Sequence, residues 1–185
     1  STVEGWISRE LLENYPDISL NPDSIERLHP MLRPMLMYNA MLKPLQNYTI
    51  KGFIWYQGES NVGRHETYAE RLADMVQLWR KEWGLGELPY AYGGTQQEKA
   101  AYLREAQFRA QSLIPNSGMI STNDLVEPYE MYNIHPRNKT KVGQRLSYLA
   151  LNLTYGLKQI HCFGPQYKSW TAKGSEAWVS FDHLE

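Results

Sequence analysis

The segment GFIWYQGESNVGRH, residues 52–65, decides how the chain is interpreted. Residues 49–56 are apolar, with β-branched and aromatic side chains and no polar alternation, which predicts a strand covered on both faces and central to a sheet. A polar loop follows at once, with Gln57, Gly58, Glu59, Ser60 and Asn61. Between residues 65 and 83 apolar side chains recur at three-to-four spacing, which predicts a helix ended by Gly84. A strand, a loop and a helix in this order indicate an α/β fold.

The same alternation continues along the chain. Apolar spacing predicts strands at 88–93 and 118–122, and helices at 4–15, 35–45, 98–113 and from Pro136 to Gly156. The fold class that we predict is therefore α/β, a three-layer α/β/α arrangement around a parallel sheet. Ligands of such sheets gather beyond the carboxyl ends of the strands.

The tail of the chain breaks this alternation. Short β-like runs at 159–163, 167–171 and 176–181, with a Lys-Gly-Ser turn at 173–175, predict a β-hairpin. A lone hairpin is marginally stable and needs another layer to cover it. We therefore divide the chain into an α/β domain at 1–157 and a hairpin region at 158–185.

Composition argues against several classes of protein. The 185 residues carry 19 Lys and Arg against 20 Asp and Glu, so no excess of positive charge is present to bind nucleic acid or an anionic membrane. No apolar stretch approaches the roughly 18 residues of a membrane span. The single Cys162 and the absence of metal-spaced histidines give no indication of a disulfide or a metal site. We expect no metal, no nucleic acid and no membrane partner.

The loop at 57–63 is the first place where chemistry is expected. It follows a predicted strand and offers the side-chain amide of Gln57, a type of group that stabilises a developing oxyanion in acyl transfer. The alternative is a polar turn whose side chains only satisfy backbone groups before the next helix. For an arbitrary protein, the residues alone favour that alternative.

The loop at 123–136 is the second such place, and it carries His135 directly before Pro136. Proline prefers the first turn of a helix, which predicts His135 as the N-cap, at the positive end of the helix dipole. Because this position disfavours the imidazolium, His135 is a candidate general base. A purely structural capping role explains the pattern equally well.

Ser60 invites comparison with a nucleophile elbow, but its spacing does not fit. That motif is Gly-x-Ser-x-Gly, whereas here the second glycine, Gly63, comes one residue late. We interpret Ser60 as a loop hydroxyl and not as the nucleophile.

Motifs in these two loops resemble the sialate O-acetylesterase branch of the SGNH hydrolases, enzymes that remove acetyl esters from sugars. The resemblance rests on WYQGESN at 55–61, IHPRNK at 134–139 and VGQRL at 142–146. Shorter matches support it: EGWISRE at 4–10, MYNAMLKPL at 37–45, LPYAY at 88–92, LREAQ at 103–107, FGPQYKS at 163–169 and VSFDH at 179–183. The resemblance covers nearly the whole chain.

The resemblance implies hydrolysis of O-acetylated sugars, with sialate 9-O-acetyl esters foremost, by serine acyl transfer and without a cofactor. In that family the nucleophilic serine lies in a Gly-Gln-Ser-Asn-type motif after the first strand, and this sequence contains neither that motif nor the glycine block that follows it. We therefore expect a fragment that begins downstream of the nucleophile and is inactive alone. Gln57 matches the oxyanion-hole amide, with Gly58, Glu59 and Asn61 as substrate-binding neighbours. His135 matches the catalytic base.

The sequence does not identify the acid that would orient the imidazole of His135. Many family members carry Asp two or three residues before the catalytic histidine, where this sequence has Asn133 and Tyr132. Asp124 is the first substitute, followed by Glu127 and Glu130 in the same loop. A Ser-His dyad is the other possibility, since Asp124 also suits a cap or a turn.

The resemblance also bears on partners and compartment. A sheet that lacks a central strand has an unpaired edge, which favours a homo-oligomer or pairing with a complementary segment. Family members suggest a secreted or periplasmic protein, although residues 1–9 do not show the pattern of a secretory signal. The competing hypothesis is a non-catalytic carbohydrate-binding or scaffold fragment in which both loops are only polar turns.

Overall fold

The structure, a computed structural model, describes residues 1–94, 100–130 and 133–184. In these ranges the α-helices are α1 (Arg9–Leu12), α2 (Pro22–Glu26), α3 (Tyr68–Trp83), α4 (Ala101–Leu113) and α5 (Thr140–Leu149). The strands are β1 (Phe53–Tyr56), β2 (Tyr90–Gly93), β3 (Ser117–Ile120), β4 (Gln166–Lys173) and β5 (Glu176–Asp182). Short 3-10 helices include Val3–Trp6, Glu59–Thr67 and Asn123–Leu125, and π-helical turns lie at Tyr38–Leu42 and Ala150–Thr154.

The first three strands form a parallel sheet in the order β1-β2-β3. Phe53 lies opposite Tyr90, and Tyr90 lies opposite Ser117, so the carboxyl ends of all three strands meet at one edge. We call this edge, with the residues that follow each strand, the sheet rim.

Side chains alternate between the two faces of the sheet, as the period of a strand requires. Trp55, Tyr90 and Tyr92 pack into the larger core cluster with the buried stripes of α3 and α4. Tyr56, Ala91 and Ile120 instead pack with Val142, Leu146 and Leu149 of α5. Helices therefore cover both faces, and the predicted three-layer α/β class is confirmed.

The long helix after the loop is confirmed, with a sharp end. Leu72, Met75, Val76 and Trp79 of α3 are buried at helical spacing. Gly84 follows with φ of 63° and donates its N–H to Arg80 O at 3.0 Å. That left-handed conformation favours glycine because a Cβ is strained there. The helix predicted at 98–113 corresponds to α4, and residues 98 and 99 lie outside the described ranges.

The helix predicted at 4–15 is divided in two. A 3-10 turn at Val3–Trp6 is separated from α1 by Ile7 and Ser8, which are both extended. The Ser8 hydroxyl accepts the N–H of Leu11 at 3.4 Å and starts α1 as a side-chain cap. The capping preference of serine therefore interrupts an otherwise continuous apolar stripe.

The prediction that β1 is central is wrong within the described residues. Here β1 pairs only with β2, and β2 occupies the middle of the sheet. Trp55 and Tyr56 pack on opposite faces, which explains the apolar run without polar alternation. Ile54 is nevertheless 70% exposed, so the run alone does not show that every side chain is covered.

The prediction that Pro136 opens a helix with His135 as its cap is also wrong. Helix α5 begins at Thr140 with Lys139 as its N-cap, because the side-chain oxygen of Asn138 accepts the N–H of Thr140 at 3.0 Å and makes a turn there. His135 therefore lies in the loop before the helix. The argument that the helix dipole disfavours the imidazolium of His135 therefore does not apply.

The tail forms the predicted hairpin, with Gln166 opposite Asp182 and a turn at Gly174. The run at 159–163 is not a strand. Tyr167, Trp170, Val179 and Phe181 are exposed and share one face of the hairpin, since each cross-strand pair shares a face. The division between 1–157 and 158–185 stays a prediction.

Candidate active site

The sheet rim is held together by polar contacts between the segments that follow the strands. The hydroxyl of Thr122, after β3, donates to the carbonyl of Gly94, after β2, at 2.6 Å. The amide of Gln107, on α4, donates to the carbonyl of Gln57, after β1, at 3.0 Å. These bonds satisfy backbone groups that leave the sheet ladder at its carboxyl end.

The side-chain amide of Gln57 is fully engaged inside the protein. Its nitrogen donates to the carbonyl of Ser1 at 2.7 Å and to the side-chain oxygen of Asn61 at 2.8 Å. Its oxygen accepts the hydroxyl of Tyr68 at 3.0 Å. These contacts fix the orientation of the amide, with the nitrogen toward Asn61 and the oxygen toward α3.

Asn61, predicted to contact substrate, is buried and connects Gln57 to a charged cluster. Its side-chain oxygen also accepts the N–H of Val3 at 3.0 Å, and its nitrogen donates to Glu4 at 3.1 Å. Glu4 pairs with Arg71 at 2.7 Å, and both side chains are almost fully buried. The contacts of Asn61 are those of a residue that positions its neighbours.

The remaining predicted residues of the first loop differ in exposure. Gly58 is buried, and its carbonyl accepts the N–H of Asn61 at 2.7 Å. Glu59 is half-buried, and its charge adds to burial in raising the pKa of Tyr56 to about 12. Ser60 is exposed on the surface of the 3-10 helix, in keeping with a loop hydroxyl.

His135 lies exposed in the second loop, and a turn defines its backbone. Its N–H donates to the side-chain oxygen of Asn133 at 2.8 Å, while the N–H of Asn133 donates to the carbonyl of Glu130 at 2.7 Å. Among the described residues, no hydrogen bond to the imidazole is observed, and Tyr132 lies outside the described ranges. A turn therefore holds the backbone of His135, and the residue is exposed.

The structure does not pair Asp124 with His135. Both carboxylate oxygens of Asp124 accept from Arg145, at 2.8 and 2.6 Å. These hydrogen bonds lower the pKa of Asp124. A bidentate pair of this kind satisfies a carboxylate that would otherwise be available to a histidine.

Glu130 is the carboxylate that contacts the histidine turn. Its side chain is buried, and one oxygen accepts the N–H of Arg137 at 3.1 Å, two residues beyond His135. Glu127, the remaining candidate, is exposed.

Lys139, a residue that the sequence arguments missed, joins the two loops. Its ammonium nitrogen lies 4.8 Å from the centre of the Tyr56 ring. Tyr56 directly precedes Gln57 in the chain. Burial lowers the pKa of Lys139, and the charges of Glu59 and Glu130, one from each loop, act in the opposite direction. Lys139 is the last residue of the IHPRNK motif, but nothing in the sequence indicates which residue it contacts.

The described ranges contain neither a cluster of metal ligands nor a membrane-spanning helix. There, no three side chains of His, Cys, Asp or Glu are grouped as a metal site requires. No helix in those ranges is long and apolar enough to cross a membrane.

Comparison with known proteins identifies the family. A family model described as carbohydrate esterase, sialic acid-specific acetylesterase, matches residues 24–152. The sialate O-acetylesterase of Mus musculus is 28% identical over an alignment of 155 residues, and the match covers 72% of this chain and 29% of the mouse protein. The Homo sapiens enzyme is 29% identical over an alignment of 152 residues, and the match covers 70% of this chain and 29% of that protein.

A solved structure agrees with this result. The crystal structure of a carbohydrate acetylesterase from Xanthomonas citri superposes with a TM-score of 0.77 at 32% identity, covering 98% of this chain and 41% of that one. The chain spans less than a third of the length of the mouse and human enzymes. Since the family model matches well over half of the chain, the protein belongs to the sialic acid-specific acetylesterase family of carbohydrate esterases.

Proposed function

We propose that this chain is part of a serine-type carbohydrate O-acetylesterase that acts on sialate 9-O-acetyl esters. The observation that carries the proposal is that Lys139, four residues after His135, lies over the ring of Tyr56, directly before Gln57 at the sheet rim. Convergence of a histidine loop and an amide loop at the carboxyl edge of a parallel sheet is the arrangement that acyl transfer requires.

In the proposed reaction, His135 takes the proton of a serine hydroxyl as the serine oxygen attacks the acetyl carbonyl. The tetrahedral intermediate carries a negative oxygen, which the amide of Gln57 and backbone N–H groups stabilise. The intermediate collapses, the sugar oxygen leaves with the proton held by His135, and an acetyl-serine remains. Water activated by the same imidazole then releases acetate and restores the serine.

The bonds of Gln57 indicate which of its hydrogens can serve the oxyanion. The hydrogen donated to Asn61 points to a buried side chain, whereas the one donated to the carbonyl of Ser1 points to a half-buried residue. We assign the second hydrogen to the oxyanion, which replaces the Ser1 carbonyl as the acceptor. We assign the neighbouring Gly58 and Glu59 to substrate binding, as the resemblance to the family implies.

The proposal places the nucleophile outside residues 1–185, so that this chain alone is inactive. Ser60, the serine nearest to Gln57 in the polar loop, is exposed and lacks the elbow spacing. The exposed edge of β1 supports pairing with a further strand that delivers the serine, or with a second copy of the chain. We also propose a secreted or periplasmic location, by likeness to the family.

The test compares residues 1–185 with a longer chain that includes the residues encoded upstream. Hydrolysis of p-nitrophenyl acetate and of 9-O-acetylated sialic acid is measured for both. We expect no activity from residues 1–185 above a His135→Ala control, and restored activity in the longer chain. A longer enzyme that works equally well with His135→Ala would overturn the assignment.

A second candidate is a non-catalytic carbohydrate-binding fragment. The internal hydrogen bonds of Gln57 and Asn61 favour it, because a polar turn that only satisfies its neighbours would look the same. Equal binding of acetylated and deacetylated sialic acid, unchanged by Gln57→Ala, would support this candidate over the esterase.

A further inference from the structure

The ring of Tyr56, the residue before Gln57, lies against a glycine of the neighbouring strand. Tyr56 and Gly93 are direct partners in the register of β1 and β2. A Cβ at Gly93 would lie 2.7 Å from Cδ2 of the Tyr56 ring, which is closer than two non-bonded carbon atoms approach. Gly93 does not have a positive φ, so the ring, and not the backbone conformation, excludes a side chain there. The two strands therefore give the ring of Tyr56 a defined place.

The same ring is in contact with the ammonium of Lys139. The distance of 4.8 Å between the nitrogen and the ring centre is within the range of a cation–π interaction. Burial lowers the pKa of Lys139, so the ammonium is partly withdrawn from water. A cation that has lost part of its hydration is attracted more strongly by an aromatic face. The contact therefore joins the start of α5 to the end of β1.

The backbone before Lys139 carries this contact to His135. Lys139 is the N-cap of α5 and follows His135 by four residues. The N–H groups of His135 and Arg137 are both donated to side chains of the same loop. Pro136 stands between them, and its ring fixes the φ angle. Because this segment has few free dihedral angles, a displacement of Lys139 also displaces His135.

We infer that Tyr56 is a positioning residue for the proposed reaction. Its ring holds Lys139, and through Lys139 it holds the turn of His135 beside the amide of Gln57. The inference rests on the proposed function, which gives His135 and Gln57 their roles. Tyr56 itself does not act on the reacting atoms. Since the rate of a reaction depends steeply on the distance between the reacting groups, loss of this contact lowers kcat and affects substrate binding little.

The first test uses the longer enzyme and p-nitrophenyl acetate. Tyr56→Leu removes the aromatic ring, and Lys139→Met removes the cation. Each should lower kcat about tenfold and leave KM within about twofold. Tyr56→Phe keeps the ring and Lys139→Arg keeps the charge, so both should keep more than about half of kcat. Gly93→Ala keeps the ring and the charge but displaces the ring, and it should lower kcat as well.

A double variant shows whether Tyr56 and Lys139 act through one contact. Each single change already breaks that contact, so Tyr56→Leu combined with Lys139→Met should lose about tenfold in kcat, and not the roughly hundredfold of two independent effects. The control is Lys43→Met. Lys43 lies over the ring of Tyr38 at 5.9 Å, and Tyr38 contacts the end of α3, away from the sheet rim. This control removes a contact of the same kind and should leave kcat unchanged.

The second test needs no catalysis and uses residues 1–185. Amide nitrogen relaxation measures the order parameters of His135 and Arg137, which are about 0.85 in a rigid backbone. Tyr56→Leu and Lys139→Met should each lower them toward about 0.6, because the turn loses its attachment to β1. Tyr56→Phe and Lys43→Met should not. Melting temperatures show that each variant is folded.

The inference is overturned if Tyr56→Leu leaves the order parameters of His135 and Arg137 unchanged, if Lys43→Met lowers kcat as much as Lys139→Met, or if the double variant loses the product of the two single effects. These results leave the esterase proposal standing as long as the longer enzyme depends on His135. A longer enzyme that is indifferent to His135→Ala instead removes the esterase proposal, whatever the order parameters show.

Discussion

Glu4 carries a buried negative charge that three neighbours hold in place. Its carboxylate contacts Arg71 at 2.7 Å, Asn61 at 3.1 Å and Arg64 at 3.5 Å. Burial alone would raise the pKa of Glu4, but the charge of Arg64 and the hydrogen bonds outweigh it, so the pKa is lowered. The charged form therefore stabilises the fold and holds Asn61 against Gln57.

Glu4→Gln should lower the free energy of unfolding at pH 7 by roughly 2 kcal/mol, because Arg71 loses its buried charged partner and keeps only Asp17, which is half exposed. Since the folded-state pKa lies below the ordinary Glu value of 4.5, the stabilisation is present above that pH and is lost as the pH falls through the folded pKa. Urea unfolding at pH 7 and at pH 3.5 measures this, with exposed Glu13→Gln as the control. An equal difference between Glu4→Gln and the unchanged chain at both pH values would contradict it.

A second prediction separates the candidate acids. In the longer enzyme, we expect Glu130→Ala to lower kcat about tenfold or more, because it removes the oxygen that accepts the N–H of Arg137 beside the turn that places His135. Asp124→Asn should act mainly through stability, because Asp124 is satisfied by Arg145. The measurement is kcat and KM for both variants beside their melting temperatures. A larger loss of kcat in Asp124→Asn would restore Asp124 as the orienting acid.

The sequence indicates single residues that belong to recognisable motifs. It does not indicate residues that act through partners far away in the chain. Gln57 and His135 stand in recognisable loops after predicted strands. Glu4 is separated from Asn61 by 57 residues and from Arg71 by 67, and no local pattern connects them. Only the packing of the start of the chain against α3 reveals that Glu4 supports the loop.

Two glycines show how the helices depend on backbone conformation. Gly84 ends α3 with φ of 63°, whereas Gly143 lies exposed inside α5 with no atom near the position of a Cβ. An alanine is strained at the first position and is a better helix former at the second.

We therefore expect opposite effects from the same substitution. Gly84→Ala should lower the free energy of unfolding by about 1 kcal/mol, and Gly143→Ala should raise it by about 0.5 kcal/mol or more. Each variant is the control for the other in thermal unfolding. Destabilisation by Gly143→Ala would mean that α5 is not a regular helix at that position.

The ends of the helices show where other contacts override the preference of a single residue for a position in a helix. The preference of proline for a first helical turn predicted a start at Pro136, but the turn made by Asn138 moves the start of α5 to Thr140. The existence and type of α3, α4 and the hairpin were predictable because their periodicity is long. The edge position of β1 was not, because an apolar run does not specify which strands pair with it.

Among the exposed apolar side chains of the described residues, those on two β elements bear on association between copies of the chain. One is the edge of β1 with Ile54, which is 70% exposed, and the other is the hairpin face with Trp170 and Val179. The formal net charge is −1, so electrostatic repulsion between copies is weak. An unpaired strand edge with an exposed apolar side chain favours strand pairing between chains.

Residues 1–185 should therefore self-associate through β1, and sedimentation velocity should show a species larger than the monomer. Ile54→Lys should shift the distribution toward the monomer, because a charged side chain opposes pairing at an edge strand. Met41→Lys, which changes an apolar side chain of similar exposure away from the sheet, should not. Val179→Lys tests the hairpin face in the same experiment. If Val179→Lys dissociates the assembly and Ile54→Lys does not, the hairpin face joins the copies, and the edge of β1 has no part in association.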